Sequence, residues 1–169
     1  MKIFIAGPRA ISTLPPSVEE RLCGIYKKDY TVLVGDANGV DKAVQKLFAE
    51  LGHANVTVYA TNGKARNNIG NWPVEAVVVA SDVKGFDYYA AKDKAMASAA
   101  DYGFMIWNGE SKGTLNNLIN LLGDDKTVLV YFVPQQAFIT IDSHEKLEEL
   151  LAHCSEETNT LYNKLNNLS

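Results

Sequence analysis

Short apolar runs that recur at regular spacing constrain the fold of this chain more than any other feature. Five of them are nearly continuous and rich in β-branched residues, and they span 2–6, 31–35, 55–60, 102–107 and 127–132. A strand that is apolar at almost every position is typical of a parallel sheet, in which both faces of the strand are buried. A sixth run, EAVVVA at 75–80, has the same composition. These runs predict a parallel sheet.

Segments with helical periodicity lie between the apolar runs. They span 17–27, 39–51, 88–100 and 114–122, and in each of them apolar residues recur three or four positions apart. Strands that alternate with helices indicate a parallel sheet whose crossovers place helices on both faces. The predicted fold class is therefore α/β, a Rossmann-like parallel sheet flanked by helices on both faces.

The chain beyond residue 135 has a different pattern. FITI, at 138–141, predicts one more strand, and Ser143 is a suitable N-cap for a helix through HEKLEELLAHC. A second, more polar helix is expected after it. We therefore expect a Rossmann-like domain at 1–135 and a C-terminal strand and helix extension at 136–169. The sequence leaves open whether the extension packs on this core or on a second subunit.

The charge balance bears on the class of partner. The formal net charge is −4 and the sequence pI is about 5.4. A broad grip on a nucleic-acid backbone requires a basic surface, so DNA or RNA is an unlikely partner by this criterion. A small anionic ligand remains compatible, because a few amides and one or two cations can hold a phosphate locally.

Neither a membrane segment nor a metal site is expected. No apolar stretch approaches the ~20 residues that a membrane span needs, and MKIFIAGPRA lacks the apolar core of a signal peptide. Cys23 and Cys154 lie far apart without a CxxC spacing. We expect a cytoplasmic protein with no metal and no cofactor, although the sequence does not decide whether Mg²⁺ assists a ligand.

Polar, glycine-rich segments follow the predicted strands. They are GPRAIS after the first run, GDANGVDK after the second, NGKARNNIGNW between the third run and the run at 75–80, and NGESKGT after the run at 102–107. Ligands of open α/β sheets bind outside the carboxyl ends of the strands. The four segments are therefore expected to gather at one edge of the sheet.

Each of these segments also has a purely structural explanation. Asn38 and its neighbours suit a helix N-terminus, and NGESKGT suits a strand-to-helix turn with Thr114 as a cap. Arg9 favours ligand contact, because a cation directly after a strand cannot serve the core. Arg66 and Asn67 supply hydrogen-bond donors, and Trp72 could stack on a base or pin down a solvated loop. NGESKGT is not a Walker A loop, because Lys112 precedes the second glycine.

Three stretches together resemble the SLOG superfamily, and the resemblance covers residues 1 to about 135. They are VLVGDANGVDKAVQ, RNNIGNW and AKDKAMASAADYGFMIWNGESKGTLNNL. This Rossmann-like superfamily includes the Lonely Guy phosphoribohydrolases, DNA-processing protein A and sensor domains that bind NAD-derived signals. Within the superfamily, the chain resembles single-domain bacterial or phage members. The resemblance implies a nucleotide-binding domain at 1–135 and a homodimer or higher homo-oligomer.

The chain departs from the Lonely Guy motif PGGxGTxxE at the glutamate. Gly109, Gly113 and Thr114 match the part of the motif that holds phosphate, but Asn117 stands at the position of the glutamate. The arginine of those enzymes falls near Lys92. An amide cannot act as a general base or stabilise a cationic centre by charge. The resemblance thus implies a retained phosphate loop without the family's catalytic carboxylate.

The first hypothesis is a non-catalytic sensor or sequestering protein for a nucleotide or nucleotide-derived signal, of the ADP-ribose or cyclic nucleotide type. Sequestration of an immune signal, as in anti-defence, is one form of it. The expected ligand-binding residues come from all four loops, from the helix at 88–100 and from the end of the run at 102–107: Gly7, Arg9, Gly35, Asp36, Asn38, Gly39, Asp41, Lys42, Arg66, Asn67, Asn68, Trp72, Lys92, Trp107, Gly109, Ser111, Lys112, Gly113 and Thr114.

Two further hypotheses belong to other classes. One is an enzyme that cleaves or transfers at an N-glycosidic bond of a nucleotide, with Asp93 or Glu110 as the acid/base. The other is an interaction module whose C-terminal helices mediate assembly.

Overall fold

The computed structural model describes residues 1–167, so residues 168 and 169 of the expected extension lie outside the described residues. The strands of the described chain are β1 (Lys2–Ala6), β2 (Thr31–Gly35), β3 (Val56–Thr61), β4 (Val74–Val77), β5 (Tyr102–Trp107), β6 (Val128–Phe132) and β7 (Ala137–Ile141). Its helices are α1 (Pro16–Lys27), α2 (Val40–Leu51), α3 (Phe86–Ala99), α4 (Lys112–Gly123), α5 (His144–Leu151) and α6 (Glu156–Asn166).

All of these strands form one sheet in the order β4-β3-β2-β1-β5-β6-β7. Neighbours from β4 to β6 pair in parallel, and β7 pairs antiparallel with β6, with Phe132 opposite Ala137. The short connection Val133–Gln135 explains the change of direction, because a parallel pair would need a long crossover. The α/β class predicted from the apolar runs is confirmed.

The run at 75–80 forms a shorter strand than expected. β4 ends at Val77, and Val78 is 86% exposed. β4 lies at the edge of the sheet, and most of its residues are exposed on both faces. The apolar composition of β4 therefore does not indicate burial, whereas that of the central strands does.

Two apolar clusters cover the two faces of the sheet. On one face α1 and α2 pack against the strands through residues such as Val18, Leu22 and Phe48. On the other face α3 and α4 pack through residues such as Met96 and Leu118. The central strands are buried on both sides between these layers, which explains why their sequences are apolar without alternation.

The C-terminal extension packs on the core of its own chain. β7 continues the sheet, and the side chains of Leu147, Leu150 and Leu151 in α5 are almost completely buried. Tyr162 and Leu165 of α6 join the same cluster, on the face that carries α3 and α4. Of the two placements that the sequence left open, the structure shows the first. Within residues 1–167, no helix is both long enough and apolar enough to span a bilayer.

The strand order reverses between β1 and β5. The chain proceeds from β1 outward through β2 to β4, and then crosses to β5 on the other side of β1. Adjacent loops leave the carboxyl ends of β1 and β5 in opposite directions at such a point and open a crevice.

Candidate functional site

A cleft of about 490 Å³ lies at this reversal, outside the carboxyl ends of β1 and β5. Three of the four predicted loops contribute to it directly after their strands, and the fourth contributes through Arg66. The side chains and glycines of the predicted set that line it are Gly7, Arg9, Asp41, Arg66, Lys92, Ser111, Lys112, Gly113 and Thr114. The structure thus brings these parts of the chain together.

Two glycines allow the loop after β1 to approach the start of α2. A Cβ atom on Gly7 would lie 2.7 Å from Cγ2 of Val40 and 2.8 Å from the carbonyl oxygen of Ile106. Gly39 has a φ of +82°, and its Cβ would lie 2.4 Å from Cα of Arg9. Both values are below any normal contact, so only glycine fits at either position. The backbone of Arg9 is therefore placed by its packing on Gly39.

Asp41 projects from the first turn of α2 into the floor of the cleft. Its side chain is buried, and its Oδ2 accepts a hydrogen bond from the amide of Ala37 at 3.3 Å. A Cβ on Gly35 would lie 2.5 Å from the same oxygen. Gly35 does not line the cleft, but because it has no side chain it leaves room for the carboxyl group of Asp41.

Asp36 links three parts of the site from beneath. Its side chain is buried, and Oδ1 accepts hydrogen bonds from Nζ of Lys92 at 2.7 Å and from Nη2 of Arg66 at 2.9 Å. Oδ2 accepts from the amide and Nε of Arg66 at 2.9 and 3.2 Å. Burial alone raises the pKa of Asp36, but the bonds from Arg66 and Lys92 outweigh it and hold the pKa well below its usual range. Asp36 is thus an ionised support that orients both cations.

Two carboxyl groups on the cleft have raised pKa values. Burial raises the pKa of Asp41 to about 6 despite the opposing charge of Lys92. Burial raises the pKa of Asp93 to about 7. The negative charges of Asp41 and Asp36 raise this pKa further, whereas the positive charges of Lys92 and Arg66 lower it. Near neutral pH these groups therefore exchange protons, which is the range in which a carboxyl can act as an acid or a base.

The loop between β5 and α4 is shaped by its own hydrogen bonds. Oδ1 of Asn108 accepts the amides of Glu110 and Ser111 at 3.0 and 2.9 Å. Oγ of Ser111 caps α4 by accepting the amide of Thr114 at 3.4 Å. The first amides of a helix have no intrahelical acceptor, and the helix dipole is positive there. Since this turn lines the cleft, an anionic group in the cleft would face the start of α4.

The C-terminal extension supports this loop. The hydroxyl of Thr158, on α6, donates to the carbonyl of Gly109 at 2.7 Å, and both residues are buried. Gly109 itself has a φ of +80° and packs against Phe132 and Cys154. Gly109 thus acts in the shape of the loop and does not line the cleft. Thr158 could not be predicted from the sequence, because nothing in a polar helix distinguishes the one hydroxyl that faces inward.

Asn117 is the buried polar group without a partner in the described chain. It is 3% exposed and lines the cleft, and its Oδ1 has no hydrogen-bond donor among residues 1–167. A buried acceptor left in this state costs about 1–3 kcal/mol. It is therefore available to a donor on a ligand or to water.

Two aromatic residues of α3 line the cleft and were missed by the sequence prediction. The ring centroid of Phe86 lies 4.0 Å from Nζ of Lys112. The ring of Tyr89, 41% exposed, lies 5.6 Å from Cζ of Arg9 and 5.3 Å from Cζ of Arg66. The signal was present in FDYY, just before the helix that carries Lys92. Their rings are apolar surface next to cations, at the mouth of the cleft.

Neither of the two tryptophans in the expected ligand-binding set, Trp72 and Trp107, lines the cleft. Trp72 is 8% exposed and its Nε1 donates to the carbonyl of His53 at 2.8 Å, away from the cleft. Trp107 is completely buried, packs on Phe132, and donates through Nε1 to the carbonyl of Ser111 at 3.2 Å. Trp107 therefore has no exposed face for a ligand, and Trp72 could meet a ligand only outside the cleft. Trp72 pins the loop between β3 and β4, which is the alternative that the sequence left open.

The remaining predicted residues lie outside the cleft. The amide of Asn67 donates to the carbonyl of Asp36 at 2.8 Å and to Oδ1 of Asn38 at 3.0 Å. Asn68 exchanges two hydrogen bonds with the backbone of Trp72. Both fix loop conformation, as does the buried side chain of Gln45, which was not predicted and which bonds Gly35, Asn67 and Ile69. Lys42 and Glu110 are exposed away from the cleft. Of the two carboxylates considered for catalysis, Asp93 lines the cleft.

No metal centre is formed by the side chains that the structure describes. Within residues 1–167, no group of three or more His, Cys, Asp or Glu residues is arranged to hold a metal ion. The acidic residues at the cleft are instead matched with Lys92 and Arg66.

Comparison with known proteins shows the fold. No protein-family model matches the chain, and no curated protein matches it. Among solved structures, it is similar to DNA processing protein A from Helicobacter pylori, a protein described for its binding of single-stranded DNA. The TM-score is 0.61 at 14% identity, and the match covers 98% of this chain and 80% of that one. The chain thus shares its overall fold with that protein, and the likeness is one of fold alone.

Proposed function

We propose that the cleft binds a nucleotide or nucleotide-derived signalling molecule, of the ADP-ribose or cyclic nucleotide type, and that the chain acts as a non-catalytic sensor or sequestering protein. The observation that carries this proposal is a cationic cleft in an acidic chain. Four cationic side chains and two carboxyls with raised pKa values line the cleft, although the formal net charge is −4. Local charge of this kind favours a small anionic ligand.

The start of α4 provides the phosphate position. Lys112 and Arg9 form no salt bridge with any residue in 1–167, in contrast to Arg66 and Lys92, which are held by Asp36. Arg9 comes from the loop after β1 and Lys112 from the turn capped by Ser111, and both line the cleft. Phosphate oxygens would therefore accept hydrogen bonds from both cations and from the first amides of α4.

Phe86 and Tyr89 provide the position for a base or sugar. Both lie on the first turns of α3, beside the cations that would hold phosphate. Base stacking on an aromatic ring contributes about 1–3 kcal/mol. Asn117 then offers an acceptor to a hydroxyl or amino group deeper in the cleft. Phosphate, ring and hydrogen-bond donor are the three features that a nucleotide carries.

One incubation tests this proposal. Purified protein is mixed with a pool of nucleotides, cyclic dinucleotides, ADP-ribose isomers and one single-stranded oligonucleotide, and the unbound material is filtered off. The protein is then heated, and the released compounds are analysed by chromatography and mass spectrometry. We expect one compound to be depleted from the filtrate and returned intact. Retention of the oligonucleotide alone would instead indicate the ligand class described for the solved relative, and retention of nothing would contradict the proposal.

An N-glycosidic hydrolase is the second candidate, and the environment of Asp93 favours it. Its carboxyl lines the cleft with a pKa raised to about 7, so a protonated form is present near neutral pH. Such a group can donate a proton to a departing base while water attacks the sugar carbon, breaking the C–N bond. A free base released with turnover, and lost in Asp93→Asn, would establish this activity over simple binding.

Self-association and a cytoplasmic location belong to the same proposal. The apolar residues of α5 and α6 are buried in the chain's own core, so they do not offer an assembly surface. The exposed edge formed by β4 and the residue that follows it, with Val74 at 39% and Val78 at 86% exposure, is the better candidate for contact with a second copy. Light scattering coupled to size exclusion gives the mass directly, and Val78→Lys should lower it to that of one chain.

A further inference from the structure

A second cavity adjoins the cleft on the side of β3. Its volume is about 280 Å³, and it is lined by Asp36, Thr61, Lys64 and Tyr88 among others. It shares two residues with the cleft, Arg66 and Tyr89. The two cavities are therefore neighbours separated by one guanidinium group and one ring.

Arg66 and Tyr89 separate the two cavities without closing them off from each other. Arg66 is fixed by three hydrogen bonds to Asp36, and its Cζ lies 5.3 Å from the ring of Tyr89. The side chain of Arg66 is 41% exposed, and Tyr89 is 41% exposed as well. Because both reach solvent, the partition is a rim and not a closed wall. A ligand can cross it while staying in contact with Arg66.

The second cavity repeats the chemistry of the first on a smaller scale. Lys64 forms no salt bridge within residues 1–167, so its ammonium group is available to an anion or a hydroxyl. The ring of Tyr88 packs edge-on against that of Tyr89 at 5.1 Å. Thr61, at the end of β3, is 8% exposed and adds a hydroxyl at the floor. A cation, an aromatic ring and a hydroxyl thus lie on each side of Arg66.

We propose that the two cavities form one site for a two-headed ligand, in which two ring-bearing nucleoside or sugar ends are joined by bridging phosphates. This inference rests on the proposed function of the cleft. The bridging phosphates would contact Arg66 and Arg9, whose guanidinium groups both lie beside Tyr89. One end would occupy the cleft near Phe86, and the other would lie against Tyr88 and Lys64. The class includes linear pyrophosphates and cyclic dinucleotides, which share this chemistry.

Isothermal titration calorimetry with three probes tests the inference. AMP carries one head, ADP-ribose carries two heads in a linear molecule, and cyclic di-AMP carries two heads in a ring. We expect at least one two-headed probe to bind about tenfold or more tighter than AMP. The probe that gains shows whether the linear or the cyclic arrangement fits.

A single substitution separates the two cavities. Lys64→Ala should weaken the two-headed probe about fivefold to tenfold, because it removes one contact with the second head, and should leave AMP unchanged. Lys46→Ala, an exposed lysine on α2 away from both cavities, is the matched control and should change neither.

The outcomes separate this inference from the proposed function. If AMP and the two-headed probes bind equally well and Lys64→Ala has no effect, the two-headed site is overturned. The proposed function of the cleft then remains intact. No binding of any of the three probes would overturn the inference, and the wider pool of nucleotides then decides whether the proposed function fails with it.

Discussion

Nζ of Lys92 lies 2.7 Å from Oδ1 of Asp36, and the two side chains are 5% and 3% exposed. This ion pair crosses from α3 to the end of β2 and is buried between the cleft and the core. A lysine at this depth is stable only because its charge is matched. The pair therefore stabilises the contact between α3 and the carboxyl end of β2, and it also orients the side chain of Lys92 at the cleft.

Lys92→Met should destabilise the fold. It leaves the buried carboxylate of Asp36 with Arg66 as its remaining cation, and loss of one partner of a buried pair costs about 3 kcal/mol. Urea unfolding at pH 7 measures the change in the free energy of unfolding. Lys94→Met, an exposed position on the same helix, is the control and should stay within about 0.5 kcal/mol of the wild type. Equal stabilities of the two variants would show that the pair contributes nothing.

Gly39→Ala should lower the free energy of unfolding, in contrast to the same change at Gly24. Gly39 has a φ of +82°, and a Cβ atom added there would overlap the backbone of Arg9, so the methyl group strains the backbone and displaces the loop. We expect a loss of about 2 kcal/mol or more and weaker ligand binding. Gly24→Ala is the control, because Gly24 lies within α1 with open space around it and should gain about 0.5–1 kcal/mol. Thermal unfolding of both variants gives the comparison.

The sheet could be predicted from the sequence because its central strands are buried on both faces. Runs such as 2–6, 31–35 and 102–107 match β1, β2 and β5 residue for residue. The strand order and the antiparallel direction of β7 could not be predicted, since neither leaves a mark in local composition. β4 was overestimated in length because an apolar edge strand looks like a buried one.

The depth of side chains at the site was less predictable. In the segment 88–100, the apolar residues that recur three or four positions apart are Tyr88, Ala91, Ala95 and Ala99. The buried residues of α3 are instead Lys92, Met96 and Ala97. A sequence pattern does not place a lysine on a buried face unless the acidic residue that pairs with it is known. The partner of Lys92 is Asp36, which lies 56 positions away in the sequence and could not be recognised from it. The two tryptophans misled for the opposite reason: each was assigned to a ligand by its chemistry, whereas packing placed both in the core.

Replacing Arg9 and Lys112 together should abolish ligand binding with little effect on stability. Both side chains are exposed at the rim of the cleft and form no salt bridge within residues 1–167. Loss of two charge-assisted hydrogen bonds predicts at least a 100-fold loss of affinity for the nucleotide returned by the pool assay. The double variant Lys42→Ala/Lys46→Ala removes two exposed cations from α2 and should bind normally. A large drop in unfolding temperature in the Arg9→Ala/Lys112→Ala variant would instead assign both residues a structural role.

The cleft carboxyls should make the stability of the ligand-free protein fall as the pH rises. The pKa is about 6 for Asp41 and about 7 for Asp93 in the folded state, against about 3.9 in an unfolded chain. Between these values the folded state binds more protons than the unfolded state, so raising the pH favours unfolding. Asp36 has the opposite sign, because its pKa is lowered, but its contribution is lost only below about pH 4. The window from pH 5 to 8 therefore isolates the two cleft carboxyls.

Urea unfolding across this window measures the effect. We expect the free energy of unfolding to decrease by about 4 kcal/mol between pH 5 and pH 8 if both carboxyls titrate in this range. Asp93→Asn should flatten the profile and raise stability at pH 8, since it removes a carboxylate whose charged form is disfavoured by desolvation and by the negative charges of Asp41 and Asp36. The same variant should bind an anionic ligand more tightly at pH 8, because repulsion in the cleft is smaller. Asp87→Asn, an exposed change on the same helix, controls for the loss of charge alone. Parallel profiles for the wild type and Asp93→Asn would mean that Asp93 is ionised in the folded state throughout this range.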